Sequence, residues 1–478
     1  MNTTLATPAQ WAQQEFALAH LGDQRRTQRL VKIATRLAQN PGGTLPQALP
    51  RWKELKAAYR FFSQPKVGPV EVQTPHWEAT RNRCREPGEY LLIEDTTQLD
   101  YSFHPATEDL GSIGNGDGRG LLLHTTLAVR VEHWTLDQRP EGVALGLFWQ
   151  QSWVRTGPPK RGRETWRQRL KRPRQSQCWT AALNQTPPPP PGSQWIFMAD
   201  READFYEPIE RCQRGSVDFI IRSYRDRAQA EAAEHLQQAA GQLPVRGTLT
   251  VELRARAGAA ARTATVQVRS GRLKLKGPER PGDAKPAFTV NVVEARELNA
   301  PPGAAPLHWT LLTSLPCERW AEAQRIVGRY TARWWIEEYH KALKSGAGVE
   351  DSQLAKAHRL ETLTAVLAIV GRAVIERAMA GAGATGRSRG SRSVRTASHG
   401  NPGRRVGRAS RRLDASERAG GRGAAGRLSG AQRRRATRVA NHLARLAAPD
   451  VDVPRIRNSK TNMKKMWVMT RHECRAPG

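Results

Sequence analysis

The sequence predicts an α/β protein with a small helical unit ahead of it, an antiparallel β insertion inside it and a long basic stretch behind it. Three observations carry the prediction. Short apolar runs end abruptly in acids: Tyr90-Leu91-Leu92-Ile93 before Glu94-Asp95, and Trp195-Ile196-Phe197-Met198-Ala199 before Asp200. Runs of this length bounded by polar residues read as buried strands. Between about 245 and 315 the apolar residues alternate, as half-buried strands do. Before residue 66 they recur at helical spacing, and beyond 380 they nearly disappear.

Residues 1–66 form the helical unit. Trp11, Phe16, Leu18 and Leu21 open an apolar series, and Gly22-Asp23 marks a turn with Asp23 placed to cap the next helix. That helix covers about Gln24–Gln39, with Leu30, Val31, Ile33, Ala34, Leu37 and Ala38 toward a core. Arg25, Arg26, Arg29 and Lys32 make its outer side basic, either as a solvated face or as a contact for a polyanion. Asn40-Pro41-Gly42-Gly43 breaks it, and another helix covers about Trp52–Ser63.

Residues 67–380 hold the α/β unit. Leu121–Val131 and Val143–Val154 suit an antiparallel pair beside the Tyr90–Ile93 strand, and Gly111–Gly120 ahead of them is turn-like. Pro158–Arg174 is a basic excursion, and Pro187–Pro191 excludes helix and central strand. Phe219-Ile220-Ile221-Arg222 is a third buried strand. Leu249, Val251, Leu253, Val266, Val268, Leu273, Leu275, Phe288, Val290 and Val292 carry the alternation of the β insertion.

Residues 330–344 wind as one amphipathic helix at about 100° per residue. With Tyr330 at zero, Arg333, Glu337 and Lys344 fall within about 60° of it, so a carboxylate stands among two cations and a phenol on one narrow face. Ala332, Trp335, Ile336, Tyr339, Ala342 and Leu343 form the opposite, core-facing side. Taken alone, this is also the pattern of a surface helix with ordinary ion pairs.

The net charge of +32 points to a polyanionic partner, most simply nucleic acid. The excess is uneven: residues 381–478 carry 24 Lys and Arg against 5 Asp and Glu. Cys84, Cys178, Cys212, Cys317 and Cys474 are scattered, odd in number and never in a CxxC, so neither a disulfide framework nor a zinc site is suggested. No apolar run reaches the length of a membrane span, and Met1–Gln10 has no basic-then-apolar leader. A cytoplasmic protein without a membrane partner is expected.

Tyr330-x2-Arg333-x3-Glu337-x6-Lys344 resembles the signature of DDE transposases of the insertion-sequence-4 family, most of all its transposon 5 branch. The stretches LLIEDTT, MADREAD and YTARWWIEEYHKALKSGAG occur in that family's order, and LGDQRRTQRLVKIA and KAAYRFF resemble its N-terminal end-recognition domain. The resemblance implies an RNase H-like catalytic core, split by the β insertion that separates Asp200 from Glu337 by 137 residues. It implies that Asp95, Asp200 and Glu337 hold two Mg²⁺ or Mn²⁺ ions. Converging carboxylates repel one another, and hard divalent cations are the natural remedy. Two such ions about 3.5–4 Å apart can activate an attacking oxygen and stabilise a leaving one. The implied reaction is cut-and-paste transposition: water cleaves one strand, the freed 3′-hydroxyl closes a hairpin, the hairpin reopens, and the 3′ ends join target DNA.

The same resemblance places Arg25, Arg26, Arg29, Arg222, Trp309, Tyr330, Arg333 and Lys344 on DNA. Trp309, 21 residues before Tyr330, would stack on a flipped base; a half-buried strand tryptophan is the plainer reading. Glu94, Asp204 and Glu338 are local rivals for the acids. Strand alternation turns Glu94 away from Asp95, and helical spacing takes Glu338 off the Tyr–Arg–Lys face. The implied partners are double-stranded transposon-end DNA, target DNA and a second copy of the chain in a paired-end complex, in the bacterial nucleoid. Two other functions fit parts of the pattern: a non-catalytic end-binding protein or decayed transposase, and a structure-specific nuclease of the same fold.

The resemblance stops after about Val374. In residues 381–478, Leu, Ile, Val and Phe number 11 and Trp467 is the only aromatic, so a disordered basic tail is expected. Either the tail binds DNA or a frameshift has replaced the helical domain that pairs two transposases.

Overall fold

Ten strands form one mixed sheet in the computed structural model, which describes residues 6–114, 116–155, 176–254, 260–279 and 284–387. The strands are β1 (Gly88–Asp100), β2 (Gly111–Ile113), β3 (Gly118–Trp134), β4 (Pro140–Trp153), β5 (Ser193–Ala199), β6 (Asp218–Arg222), β7 (Val245–Leu253), β8 (Arg262–Leu275), β9 (Phe288–Glu297) and β10 (His308–Thr313). Their order is β2-β3-β1-β5-β6-β10-β9-β8-β7, with β4 also on β3. β4, β3 and β1 are antiparallel neighbours, and β5 and β6 run parallel to β1. β10 joins β6 antiparallel, and β9, β8 and β7 come next, also antiparallel. The residue 245–315 stretch therefore extends the central sheet rather than folding apart from it.

The continuous apolar runs have a simple cause. Tyr90 and Leu92 enter a cluster with Phe148, Trp179, Trp195, Phe197 and Phe219, while Leu91 and Ile93 are equally buried on the other side of β1. A strand covered on both faces has no polar face to alternate with.

The N-terminal region is helical: α1 (Pro8–Phe16), α2 (Gln24–Gln39), α3 (Leu45–Ala48), α4 (Trp52–Phe62) and α5 (Pro69–Arg83). Asp23 caps α2 by accepting from the Arg25 amide at 2.8 Å. Leu18, expected in the apolar series, is 72% exposed. It lies in a turn after the end of α1, and Ala19 and Leu21 fill the core instead. Val31 is only half-buried. Further on come α6 (Gln177–Asn184), α7 (Tyr206–Arg214), α8 (Leu236–Gln242), α9 (Trp320–Thr331), α10 (Trp334–Lys341) and α11 (Ala357–Arg387).

Some expectations need correction. Gly111–Gly120 contains the short strand β2, because Gly111–Ile113 pairs with Gly118–Gly120. Residues 381–387, assigned to a disordered tail, are the end of α11. The basic excursion Pro158–Arg174 and residues 388–478 of the tail lie outside the described residues. Chain contacts divide at Glu376, with a second unit beginning at Arg377. Among the described residues no helix is long and apolar enough to cross a membrane.

A buried ionic cluster joins α1 to α5. Glu15 accepts from His76 Nδ1 at 2.5 Å, and the guanidinium groups of Arg83 and Arg372 each lie 3.6 Å from its other oxygen. His76 Nε2 accepts from the Leu147 amide at 2.9 Å, so the ring is the neutral Nδ1–H tautomer. Burial alone would raise the Glu15 carboxyl, but His76, Arg372 and Arg83 overcome it and hold it down at about 2. The folded value lies below the unfolded one, so the cluster stabilises the protein above about pH 4.5 and loses that contribution as pH falls toward 2. The shift corresponds to about 3 kcal/mol. Glu15→Gln should flatten the acid limb of stability between those values, measured as urea unfolding against pH. An unchanged acid limb would show that the cluster carries no such linkage.

Candidate active site

Strand register brings the first two acids together. β1 and β5 pair in parallel up to Ile93 and Met198, and two residues further along the chain from each stand Asp95 and Asp200. Asp95 does not end its strand, as the sequence suggests, because β3 continues to pair with β1 as far as Asp100. It stands where the parallel neighbour stops, and that opens the crevice beyond the carboxyl ends of strands in which α/β sheets place ligands. Asp200 comes directly after β5, and its Oδ1 accepts from the Glu202 amide at 2.8 Å, capping the short turn Arg201–Ala203.

The third acid arrives on α10. Glu337 lies in the first turn of that helix, 58% exposed, and binds the Arg333 guanidinium closely. Arg333 Nη1 also lies 3.5 Å from Asp95 Oδ2, so one guanidinium spans Asp95 and Glu337. Burial pushes the Asp95 carboxyl up to about 7; Arg333 opposes this, while Asp200, Glu202 and Glu337 reinforce it. The carboxylates therefore share one electrostatic environment, to which Glu202 contributes unforeseen.

The 330–344 stretch is not one helix. α9 ends at Thr331 and α10 begins at Trp334, and the join is tightened by hydrogen bonds from the amides of Ala332, Arg333, Trp335 and Ile336 to the carbonyls of Arg329, Tyr330, Ala332 and Arg333. Three-residue bonds of this kind wind more tightly than an α-helix and so rotate the faces of α10 relative to those of α9. A π turn over Ala342–Gly346 rotates the chain again. Tyr330, Arg333 and Glu337 stay in one electrostatic environment with Asp95 and Asp200, while Lys344 engages β1. Tyr330 is buried, 5.0 Å edge-to-face from Trp309, and shares a hydrogen bond with Arg222. Lys344 Nζ donates to the Gln98 carbonyl at 2.5 Å and lies 3.3 Å from Glu350, so it secures β1 beyond Asp95. Arg222, at the end of β6, donates to the His308 carbonyl at 3.1 Å.

The scaffold around α10 is polar and buried. Gln150 on β4 donates to Thr125 at 2.8 Å and to the Tyr339 hydroxyl at 3.1 Å, and Gln73 of α5 donates to Gln150 at 2.6 Å. Arg329 on α9 makes a bidentate pair with Glu89 at the start of β1, at 2.8 and 2.9 Å. Arg254, beyond β7, donates to Glu338 at 3.0 Å and stacks 3.9 Å over Trp334. Nothing in the local sequence at 254 signals this contact, because it spans 84 residues.

The rival acids are engaged elsewhere. Glu94 is buried and binds His124 Nε2 at 3.1 Å and the Thr126 hydroxyl at 2.8 Å. His124 in turn contacts Thr96 at 2.8 Å. Burial alone would lower His124, but contacts to Cys178 and Glu94 raise it to about 10, so this pair keeps a proton at neutral pH. Asp204 is buried and accepts from the Ser223–Arg227 loop, and Glu338 belongs to Arg254.

The donor chemistry suits Mg²⁺ or Mn²⁺, since every available side chain is a carboxylate. The side-chain arrangement is a different matter: among the described residues no group of three His, Cys, Asp or Glu is disposed to hold a metal ion. Arg333 stands between Asp95 and Glu337, and Asp200 is turned onto its own backbone.

At the N-terminal unit, Arg25 and Arg29 on α2 have no partner among the described residues, whereas Arg26 Nη1 donates to the Leu21 carbonyl at 2.8 Å. Lys32 pairs with Glu54 at 2.7 Å and joins α2 to α4. Residues 8–67 match the family model described as transposase DNA-binding. That segment covers α1 to α4 and supports a transposase-type role for the chain.

Trp309 is 9% exposed on β10 and packs against Tyr330, so the observed ring is not open to a base. Trp309→Ala should cost about 3–5 kcal/mol of stability, the usual loss for a buried aromatic. Chemical unfolding measures it; a loss under about 1 kcal/mol would mean that the ring leaves its pocket freely.

Proposed function

We propose that this chain is a DNA transposase with an RNase H-like core, cutting and joining DNA at a site formed by Asp95, Asp200 and Glu337. The observation that carries the reading is the juxtaposition, in one chain, of a transposase DNA-binding segment at 8–67 with two acids brought level by strand register. The strand order β4-β3-β1-β5-β6, antiparallel among the first three and parallel thereafter, supports the RNase H-like assignment. The insertion-sequence-4 resemblance supplies the reaction: hydrolysis, hairpin formation and strand transfer on double-stranded transposon ends and target DNA.

Asp95, Asp200 and Glu337 would hold two Mg²⁺ or Mn²⁺ ions, which when bound polarise the scissile phosphodiester and its attacking oxygen. The chain's own groups do the rest. Arg333 bridges Asp95 and Glu337, and its guanidinium could hold a DNA phosphate beside them. Arg25 and Arg29 on α2 contribute sequence-independent attraction to the DNA backbone. Lys344 and Arg222 hold the strand ends that carry the site.

A non-catalytic end-binding protein is the second reading, and it is favoured by the absence of a metal-disposed side-chain group among the described residues. One experiment separates the two. Purified protein is incubated with the DNA flanking its own gene and Mg²⁺, and double-strand cuts at the element ends are sought on a gel. The transposase reading expects cuts that Asp95→Asn, Asp200→Asn and Glu337→Gln each reduce at least a hundredfold while end binding by gel shift persists. Cutting by any of these variants at the parental rate would remove that residue from the site. End binding without any cutting by the parent would establish the second reading.

A further inference from the structure

The loop after β6 is held rigid by a single acid. Asp204 accepts from the Ser223 hydroxyl at 3.1 Å, the Tyr224 amide at 2.6 Å, the Arg225 amide at 2.7 Å and the Arg227 guanidinium at 2.5 Å. The carboxylate is buried, so these bonds replace its lost hydration and fix the loop backbone. On this fixed backbone the Tyr224 ring is left 56% exposed. The Arg201 guanidinium lies 5.7 Å from its centroid. Arg201 is the residue next to Asp200, and Arg222, two residues before Tyr224, lies within the field of Asp200. The ring therefore stands at the rim of the carboxylate site, with a cation beside it. Trp309, by contrast, is packed on Tyr330.

We infer that Tyr224 and Arg201 form a stacking platform for an unpaired DNA base next to Asp200. An exposed ring on a loop with no freedom to lose is a pre-organised surface. Bases of any sequence stack on such a ring, and an adjacent guanidinium adds attraction to the base face or to the neighbouring phosphate. Where a DNA end is unpaired, the platform would hold the freed base while its phosphate reaches the acids. The inference rests on the reading of the chain as a DNA-end-processing protein.

The test uses full-length protein with EDTA, so that no cleavage intervenes, and two fluorescent duplexes carrying the element end. One is fully paired, and the other has its terminal base pairs mismatched. Wild type should bind the mismatched duplex about tenfold tighter, as expected for one stacked base. Tyr224→Ala should lose that preference while keeping its affinity for the paired duplex, and Tyr224→Phe should retain the preference because the ring remains. A preference that survives in Tyr224→Ala, or is absent in wild type that binds the paired duplex, overturns the platform. Failure of wild type to bind either duplex overturns the end-processing reading beneath it.

Discussion

The site depends on the Arg333 guanidinium between Asp95 and Glu337. Strand register sets Asp95 beside Asp200, and α10 adds Glu337 nearby, so the fold gathers negative charge where burial already penalises it. Carboxylates in such a setting protonate, separate or recruit a cation. Here the cation is supplied by the chain, four residues before Glu337 on the approach to the same helix. Arg333 opposes the burial that pushes the Asp95 carboxyl up, and among the described residues no side-chain group is disposed to hold a metal ion. A guanidinium and a divalent ion compete for the same lone pairs.

Everything around that contact serves to hold its two halves in place. Asp95 is kept by β3, which pairs with β1 well past the point where β5 ends. Glu337 is kept by α10, whose inner face carries Trp335, Ile336 and Tyr339 and whose Tyr339 hydroxyl meets Gln150 of β4. The bidentate Arg329–Glu89 pair connects the preceding helix to the start of β1. Gly328 in that helix lies so close to the Gln138 carbonyl that a Cβ there would collide with the β3–β4 hairpin. The β insertion contributes through Arg254, which grips Glu338 and covers Trp334. A segment distant in sequence thus steadies the helix that delivers the third acid.

How much of this was legible in the sequence depends on the range of each interaction. The separation of Glu94 from Asp95 could be read because strand periodicity is local and strict, and the structure sends Glu94 to His124 and Thr126. Asp23 as a cap and the span of α2 were readable for the same reason. The break at Ala332–Arg333 was not, since neither glycine nor proline marks it; the residues on either side of it, Tyr330 and Trp335, are both buried. The contact of Lys344 with the Gln98 carbonyl was not readable either, because it spans 246 residues to β1. The burial of Trp309 depends on Tyr330 meeting it across 21 residues, which spacing alone cannot reveal.

The acids also sort by what their oxygens already do. Asp204 and Glu94 are buried, yet both are held by donors in the fold, and removing either would leave those donors unpaired. Asp95 accepts the adjacent Thr96 amide and a long contact from Arg333, and Asp200 caps a single short turn. Glu337 is held by one long side chain at the surface. Glu94 and Asp204 are therefore committed to the fold, whereas Asp95, Asp200 and Glu337 keep acceptor capacity to spare. Asp95, Asp200 and Glu337 thus differ from Asp204 and Glu94 in how many of their acceptor sites the fold already fills.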